Sequence, residues 1–112
     1  MNGAVSAIVP AAGHGRRFGA KTSKIFFRAE GKPLLFYTLR NISSAYAFKE
    51  IVVAAHPADF KVVEKMARFL NLKSFRVVGG GATRAESVWN ALLEVSGSSE
   101  WVLVHEIGRA HV

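Results

Sequence analysis

The residues best suited to chemistry follow the first apolar run of the chain, in the stretch PAAGHGRRFG from Pro10 to Gly19. Glycine lets the backbone turn tightly and lets a ligand come close, and the N–H groups of such a loop form a concavity for anions. The adjacent Arg16 and Arg17 bring positive charge, and Lys24 adds a mobile charge at the far end. This combination predicts a loop that binds a phosphate-bearing ligand.

The spacing of the loop separates it from two well-known phosphate-binding motifs. A Walker A loop needs Gly-Lys followed by Ser or Thr, and the sequence contains no such triplet. A dinucleotide-binding fold needs G-x-G-x-x-G and an acidic residue at the end of the second strand. Here the spacing of Gly13, Gly15 and Gly19 is one residue too long, and the second apolar run ends in AAH. The first motif is excluded and the second is disfavoured.

Composition and charge restrict the class of protein. The 112 residues are 50% hydrophobic and include no cysteine, which indicates about one domain without disulfides or thiolate metal sites. No apolar run is long enough for a membrane span, and the N-terminus lacks the pattern of a secretory signal, so we expect a cytoplasmic protein. The net charge is +7 and is concentrated in residues 1–40. That basic cluster favours a phosphate ligand, and it leaves open a non-catalytic phosphate-binding module or an RNA-binding domain.

Short apolar runs alternate with amphipathic segments along the chain. Runs at 5–9, 50–55, 75–78 and 101–104 predict strands, and helices are expected from Pro33, from Pro57 and after Thr83, where Glu86 completes a capping box. This order predicts an α/β fold: a three-layer, Rossmann-like parallel sheet with helices on both faces. Ligands bind such sheets at the carboxyl edge of the strands, where both glycine clusters and His105 would lie. We expect the two tryptophans, Trp89 and Trp101, to be core residues, and the third helix to bury a stripe of Ala85, Val88, Leu92 and Val95.

Three motifs, each at the end of a predicted strand, carry a resemblance to a known family. PAAGHGRRFG with the later SK, GGGATRAESV and WVLVH together resemble the 2-C-methyl-D-erythritol 4-phosphate cytidylyltransferases, which belong to the sugar-nucleotide-type nucleotidyltransferases. The likeness runs from about Ala4 to His105. It implies the N-terminal half of a nucleotidyltransferase fold, with transfer of a cytidylyl group from CTP to the sugar-alcohol phosphate and release of pyrophosphate in non-mevalonate isoprenoid synthesis. It also implies a homodimer for the full-length form, no nucleic-acid or membrane partner, and a plastid location if the source is a plant, although no transit peptide is seen.

The resemblance also implies roles for individual residues. Arg17 and Lys24 would be catalytic, gripping the triphosphate and stabilising the charge that develops at the α-phosphorus. Mg²⁺ or another divalent cation would bridge the phosphates. The residues implied in nucleotide binding lie in the two glycine loops: Pro10, Ala11, Ala12, Gly13, Gly15, Gly80, Gly81, Ala82 and Ser87.

The sequence departs from the family pattern at three positions. Ser23 precedes Lys24 where the family often has proline, and Ala82 stands where an acidic residue commonly reaches the ribose. Glu106 stands where the family has the aspartate that ligates the metal, so Glu106 is the expected metal ligand here. Ribitol-5-phosphate cytidylyltransferases and other sugar-phosphate nucleotidyltransferases share most of these motifs, which leaves the acceptor open.

The last residues of the chain break the resemblance. After His105 the sequence reads EIGRAHV, and IGRAHV is what a common sequencing-library adapter encodes in one frame. We therefore expect residues 1–105 to be the nucleotide-binding part of a truncated cytidylyltransferase domain and residues 106–112 to be a non-native tail. Alone, such a chain is expected to be poorly soluble or inactive, because an apolar sheet edge is exposed.

Overall fold

A computed structural model describes residues 4–12, 28–29 and 32–106. Four parallel strands form the main sheet in the order β5-β4-β1-β6, and a separate two-stranded antiparallel hairpin joins β2 to β3. In chain order the elements are β1 (Val5–Pro10), β2 (Arg28–Ala29), β3 (Lys32–Pro33), α1 (Leu34–Ala45), β4 (Glu50–Ala55), a 3₁₀ turn (Pro57–Asp59), α2 (Phe60–Phe69), β5 (Phe75–Gly79), α3 (Arg84–Leu92) and β6 (Trp101–Val104).

The central strands β1 and β4 are buried along nearly their whole length. Their continuous apolar runs suit this position, because helices cover both faces of the sheet and leave no solvent-facing side. On one face the residues of α1 and α2, including Leu35, Leu39 and Val63, join one core cluster, and on the other Ala91 of α3 packs against Ile8. The predicted α/β fold with a parallel sheet between two helical layers is confirmed.

Two local features differ from the sequence prediction. The hairpin of β2 and β3 was missed, because two-residue strands are too short to show a hydrophobic period. The second helix begins as the 3₁₀ turn after His56, whose Nδ1 accepts a hydrogen bond from the Ala58 N–H. None of the helices among these residues is long and apolar enough to cross a membrane.

The expected burial of the two tryptophans is wrong. Trp89 is 60% exposed and Trp101 is 66% exposed. The predicted stripe of α3 is also displaced, because its buried residues are Ser87 and Ala91, whereas Leu92 is exposed and so is Ala85. Trp101 is exposed because it lies on β6, where the sheet ends in the part of the chain that the structure describes. Trp89 lies two residues from each of the buried Ser87 and Ala91, and therefore on the side of α3 that faces away from the sheet.

Candidate active site

Two loops and a strand end meet at the carboxyl edge of the sheet. Hydrogen bonds continue the parallel ladder just past the strands: the Ala11 N–H donates to Ala54 O over 2.6 Å, and the His105 N–H donates to Ile8 O over 2.9 Å. The residues that follow β1 and β6 therefore leave the sheet side by side. This is the edge at which ligands of open parallel sheets bind.

The loop after β5, residues 80–83, is the second glycine loop, and the loop that follows β1 from Ala11 is the first. Gly80 forms the contact between these two loops. Its N–H donates to Ala55 O over 2.9 Å, which places the loop beside the end of β4. A Cβ at this position would overlap the Ala12 side chain and would lie 2.9 Å from Ser87 Oγ. Only glycine therefore permits this contact between the loops after β1 and β5.

The buried hydroxyl of Ser87 forms a hydrogen bond with the backbone of the second loop. Its Oγ accepts a hydrogen bond from the Gly81 N–H over 3.0 Å. Gly81 is itself tightly enclosed, since a Cβ there would overlap the side chain of Glu86. The position of Ser87 close to the base stays a prediction, and the structure shows that its hydroxyl fixes the backbone of this loop.

The start of α3 completes the loop. The Thr83 side chain accepts a hydrogen bond from the Glu86 N–H, as the capping box predicts. The other half of the box differs, because Glu86 Oε1 accepts from the Ala82 N–H over 2.8 Å. The N–H groups of Gly80, Gly81 and Ala82 thus all donate to acceptors within the protein, and the carbonyl oxygens remain as the backbone groups that this loop can offer a ligand.

An ion pair joins the second loop to the end of β6. The Arg84 guanidinium Nε donates to Glu106 Oε2. Arg84 is the first residue of α3, and Glu106 follows β6 by two residues. Nothing in the local sequence pattern indicates this partner of Arg84, which lies 22 residues away.

A second polar cluster lies at the opposite, amino edge of the sheet and is separate from the site. Glu50 is buried, and its Oε2 accepts hydrogen bonds from Ser6 Oγ and the Ser96 N–H, each over 2.7 Å. Burial raises the pKa of this carboxyl, but the hydrogen bonds from Ser6, Ser96 and Ser99 and the nearby charge of Arg76 outweigh it and hold the pKa below its usual value. Glu50 therefore ties β1 and β4 to the connection that leads into β6.

Comparison with known proteins decides the family of the chain. The family model for 2-C-methyl-D-erythritol 4-phosphate cytidylyltransferase (IspD) matches residues 5–112. The chain belongs to the IspD family. The enzyme of that name from Thermosynechococcus vestitus is 38% identical over 103 residues, which are 91% of this chain and 44% of the relative. The one from Symbiobacterium thermophilum is 41% identical over 105 residues, which are 94% of this chain and 43% of the relative.

Solved structures agree with the family assignment. The 4-diphosphocytidyl-2C-methyl-D-erythritol synthase of Anaerococcus prevotii superposes with a TM-score of 0.75 at 26% identity, covering 93% of this chain and 43% of that one. The bifunctional IspDF of Campylobacter jejuni superposes with a TM-score of 0.68 at 38% identity. The nucleotidyltransferase fold is confirmed, and the chain spans less than half the length of the IspD relatives that it matches.

The described residues of this IspD-family chain suit a magnesium ion that is bound together with the phosphates of a nucleotide. Within residues 4–12, 28–29 and 32–106 no three His, Cys, Asp or Glu side chains form a cluster able to hold a metal. Mg²⁺, however, is commonly bound by one or two carboxylates together with substrate phosphates. Glu106, partly exposed at the carboxyl edge and paired with Arg84, can supply one such carboxylate.

Four of the predicted site residues fall outside the part of the chain that the structure describes: Gly13, Gly15, Arg17 and Lys24. Among the others, Pro10 and Ala11 are buried at the end of β1, and Ala12 is half-buried against the second loop. The described part of the candidate site is therefore mostly backbone, and its charged side chains include Arg84, Glu86 and Glu106.

Proposed function

We propose that this chain is the nucleotide-binding half of an enzyme that transfers a cytidylyl group from CTP to 2-C-methyl-D-erythritol 4-phosphate and releases pyrophosphate. The observation that carries the proposal is the contact of the two glycine loops through Ala12 and Gly80. This contact places the start of the predicted phosphate-binding loop and the backbone of the second glycine loop at the same edge of the sheet. Membership of the IspD family supplies the reaction.

The hydrogen bonding of the second loop supports a cytosine base. The N–H groups of residues 80–82 donate within the protein, which leaves carbonyl oxygens as acceptors. The exocyclic N4 amino group of cytosine is a donor, whereas uracil presents the O4 acceptor at the same place. Carbonyls of this loop would therefore attract CTP and repel UTP.

The proposal assigns the triphosphate to the basic residues of the sequence after β1. We assign to Arg17 and Lys24 the binding of its oxygens and the stabilisation of charge at the α-phosphorus and the departing pyrophosphate. Mg²⁺ or a similar divalent cation would neutralise phosphate charge, and the carboxylate at position 106, which is Glu106 in this chain, would hold it on the protein side. An oxygen of the acceptor's phosphate group attacks the α-phosphorus in line and forms the new P–O–P bond of a CDP-linked product. The bond between the α-phosphorus and the oxygen that bridges it to the β-phosphate breaks, and pyrophosphate leaves with the electron pair of that bond.

Further parts of the proposal concern the whole protein. We assign it a cytoplasmic location, a homodimeric full-length form and no nucleic-acid partner. Because the sequence after His105 departs from the family motif, we also propose that residues 106–112 are not native and that an aspartate follows His105 in the genome. Sequencing of genomic DNA beyond codon 105 tests this directly, and a genomic frame that encodes EIGRAHV and then stops would refute it.

The reaction is tested by pyrophosphate release. The chain is assayed alone and after fusion of its residues 1–105 to the part of the Thermosynechococcus vestitus relative that lies outside the match. With Mg²⁺ and CTP, we expect release by the fusion with 2-C-methyl-D-erythritol 4-phosphate, less with ribitol 5-phosphate, and none by the chain alone. A fusion that folds and binds CTP but prefers ribitol 5-phosphate would reassign the acceptor, and robust turnover by the 112-residue chain would contradict the assignment of a half-enzyme.

A further inference from the structure

Three side chains of α3 bond to the backbone that runs from the end of β5 into the second glycine loop. Positions 86, 87 and 90 share one side of the helix, because residues three and four apart are neighbours there. Ser87 Oγ accepts from the Gly81 N–H, and Glu86 Oε1 accepts from the Ala82 N–H. The third side chain, that of Asn90, acts earlier along the backbone, where β5 ends.

Asn90 fixes the peptide unit that joins Gly79 to Gly80. Its side-chain amide donates to Gly79 O over 3.0 Å, and the Gly80 N–H donates to Ala55 O at the end of β4 over 2.9 Å. The carbonyl and N–H of one trans peptide point in opposite directions, so this unit is bonded to α3 on one side and to the sheet on the other. Glycine has little steric preference for one backbone conformation, so these two hydrogen bonds determine how the peptide is oriented.

The same geometry gives the direction of the next two carbonyl groups. The Gly81 N–H points to Ser87 on α3. The Ala82 N–H points to Glu86 on the same helix. The carbonyl oxygens of these two peptide units, those of Gly80 and Gly81, therefore point away from α3. They are the acceptors that the loop presents on the side opposite the helix.

We propose that Asn90 is a positioning residue for nucleotide selection. It acts through the backbone, by fixing the first of three successive peptides, and Glu86 fixes the last of them in the same way. The N4 amino group of cytosine gains a hydrogen bond, and the O4 acceptor of uracil is repelled, only while the loop carbonyls keep their direction. This inference rests on the proposed function, and it assigns the side chains that produce the preference for CTP over UTP.

Substitution of Asn90 tests the proposal on the 112-residue chain. Asn90→Asp keeps the shape of the side chain but replaces the donating amide group with a carboxylate oxygen, which repels Gly79 O. Calorimetry in the presence of Mg²⁺ measures the affinities of CTP and UTP. We expect the ratio of these affinities to fall about two- to tenfold, the effect of one neutral hydrogen bond, chiefly through weaker binding of CTP.

Asn41→Asp is the matched control for this substitution. It makes the same chemical change at an exposed position of α1 and is expected to leave the ratio of the CTP and UTP affinities unchanged.

Amide hydrogen exchange, followed by NMR without nucleotide, shows whether Asn90 fixes the peptide. The Gly80 N–H reports on the peptide that Asn90 holds, and the N–H of the buried Val53 in β4 reports on the stability of the sheet. In Asn90→Asp we expect faster exchange at Gly80 relative to Val53. A general loss of stability would instead speed both and weaken CTP and UTP binding together.

Glu86 gives a second test, which does not depend on the folding of Asn90→Asp. Its side chain is exposed, and Glu86→Ala removes the acceptor of the Ala82 N–H. Glu86→Gln also removes the negative charge but retains an acceptor oxygen. We expect Glu86→Ala to lower the ratio of the CTP and UTP affinities and Glu86→Gln to retain most of it.

An unchanged affinity ratio in Asn90→Asp would overturn the proposal, and faster exchange at Gly80 in that case would make Asn90 a structural link between α3 and β5. If that variant does not fold, an unchanged ratio in Glu86→Ala, or an equal loss in Glu86→Gln, would have the same consequence. A parent chain that binds CTP and UTP equally would contradict the proposed function itself, so the two failures are distinguishable.

Discussion

Gly80 and Ala12 lie in contact at the carboxyl edge of the sheet, close enough that a Cβ on the glycine would overlap the Cβ of the alanine. The two residues belong to different loops, one after β5 and one after β1, separated by more than half of the chain. Their contact joins the beginning of the first glycine motif, at Ala12, to the second motif. A change at either residue is therefore expected to act on both loops.

The first prediction concerns Gly80→Ala. The added methyl group has to displace Ala12 or Ser87, and such overpacking typically costs about 1–3 kcal/mol of unfolding free energy. We expect lower stability in urea denaturation and weaker CTP binding. Gly97→Ala is the matched control, because a Cβ at Gly97 meets nothing within 4 Å, and equal losses in the two variants would contradict the account.

The second prediction concerns Ser87→Ala. The partly buried Gly81 N–H loses its acceptor, and the loss of such a hydrogen bond costs about 0.5–1.5 kcal/mol. We expect lower stability and weaker CTP binding, because the loop backbone is no longer fixed. Ser44→Ala serves as control, since the exposed Ser44 Oγ donates to Arg40 O within its own helix. Unchanged CTP affinity in Ser87→Ala would show that the hydroxyl does not position the loop.

The third prediction concerns pH. The folded state holds the pKa of Glu50 below its usual value of 4.5, so its stabilising effect is present above that value and is lost as the pH falls through the lower, folded-state pKa. We expect the unfolding free energy of the chain to fall as the solution is acidified below about pH 4.5. Glu50→Gln is expected to be less stable at neutral pH and to show a shallower acid dependence.

The control for Glu50 is Glu94→Gln. Glu94 lies near the guanidinium of Arg76, as Glu50 does, but its side chain is half exposed. We therefore expect the Glu94→Gln variant to change the acid dependence of the unfolding free energy little. Parallel pH profiles for the parent chain and Glu50→Gln would refute the role of Glu50.

The fourth prediction concerns the Arg84–Glu106 pair. The guanidinium competes with a metal ion for the carboxylate, so Arg84→Gln is expected to tighten the binding of Mn²⁺, used in place of Mg²⁺, in the absence of nucleotide. Adding Glu106→Gln should remove that gain. Arg76→Gln is the control, because its guanidinium is equally exposed but lies near the amino end of β5, where it contacts Glu50 and Glu94. Electron paramagnetic resonance of free Mn²⁺ measures the binding, and equal effects of the two arginine variants would count against competition.

Much of the fold could be predicted from the sequence because its signals are local. Apolar runs define the four strands, and proline and threonine begin the helices near their predicted positions. The exposure of Trp101 could not be predicted, because burial depends on what lies beyond β6 rather than on the strand itself. The pairing of Arg84 with Glu106 is likewise tertiary, since it depends on the adjacency of α3 and β6 at one edge.

Binding of CTP to the 112-residue chain tests the central claim most directly. Titration calorimetry in the presence of Mg²⁺ measures the affinities of CTP, UTP and ATP for the parent chain and for Gly80→Ala. The affinity for single-stranded RNA is measured in the same way at several salt concentrations. We expect saturable, Mg²⁺-dependent binding that favours CTP and is weakened in the variant. Equal affinity for the three nucleotides, or a preference for RNA that falls steeply with salt, would contradict a CTP-binding half-enzyme.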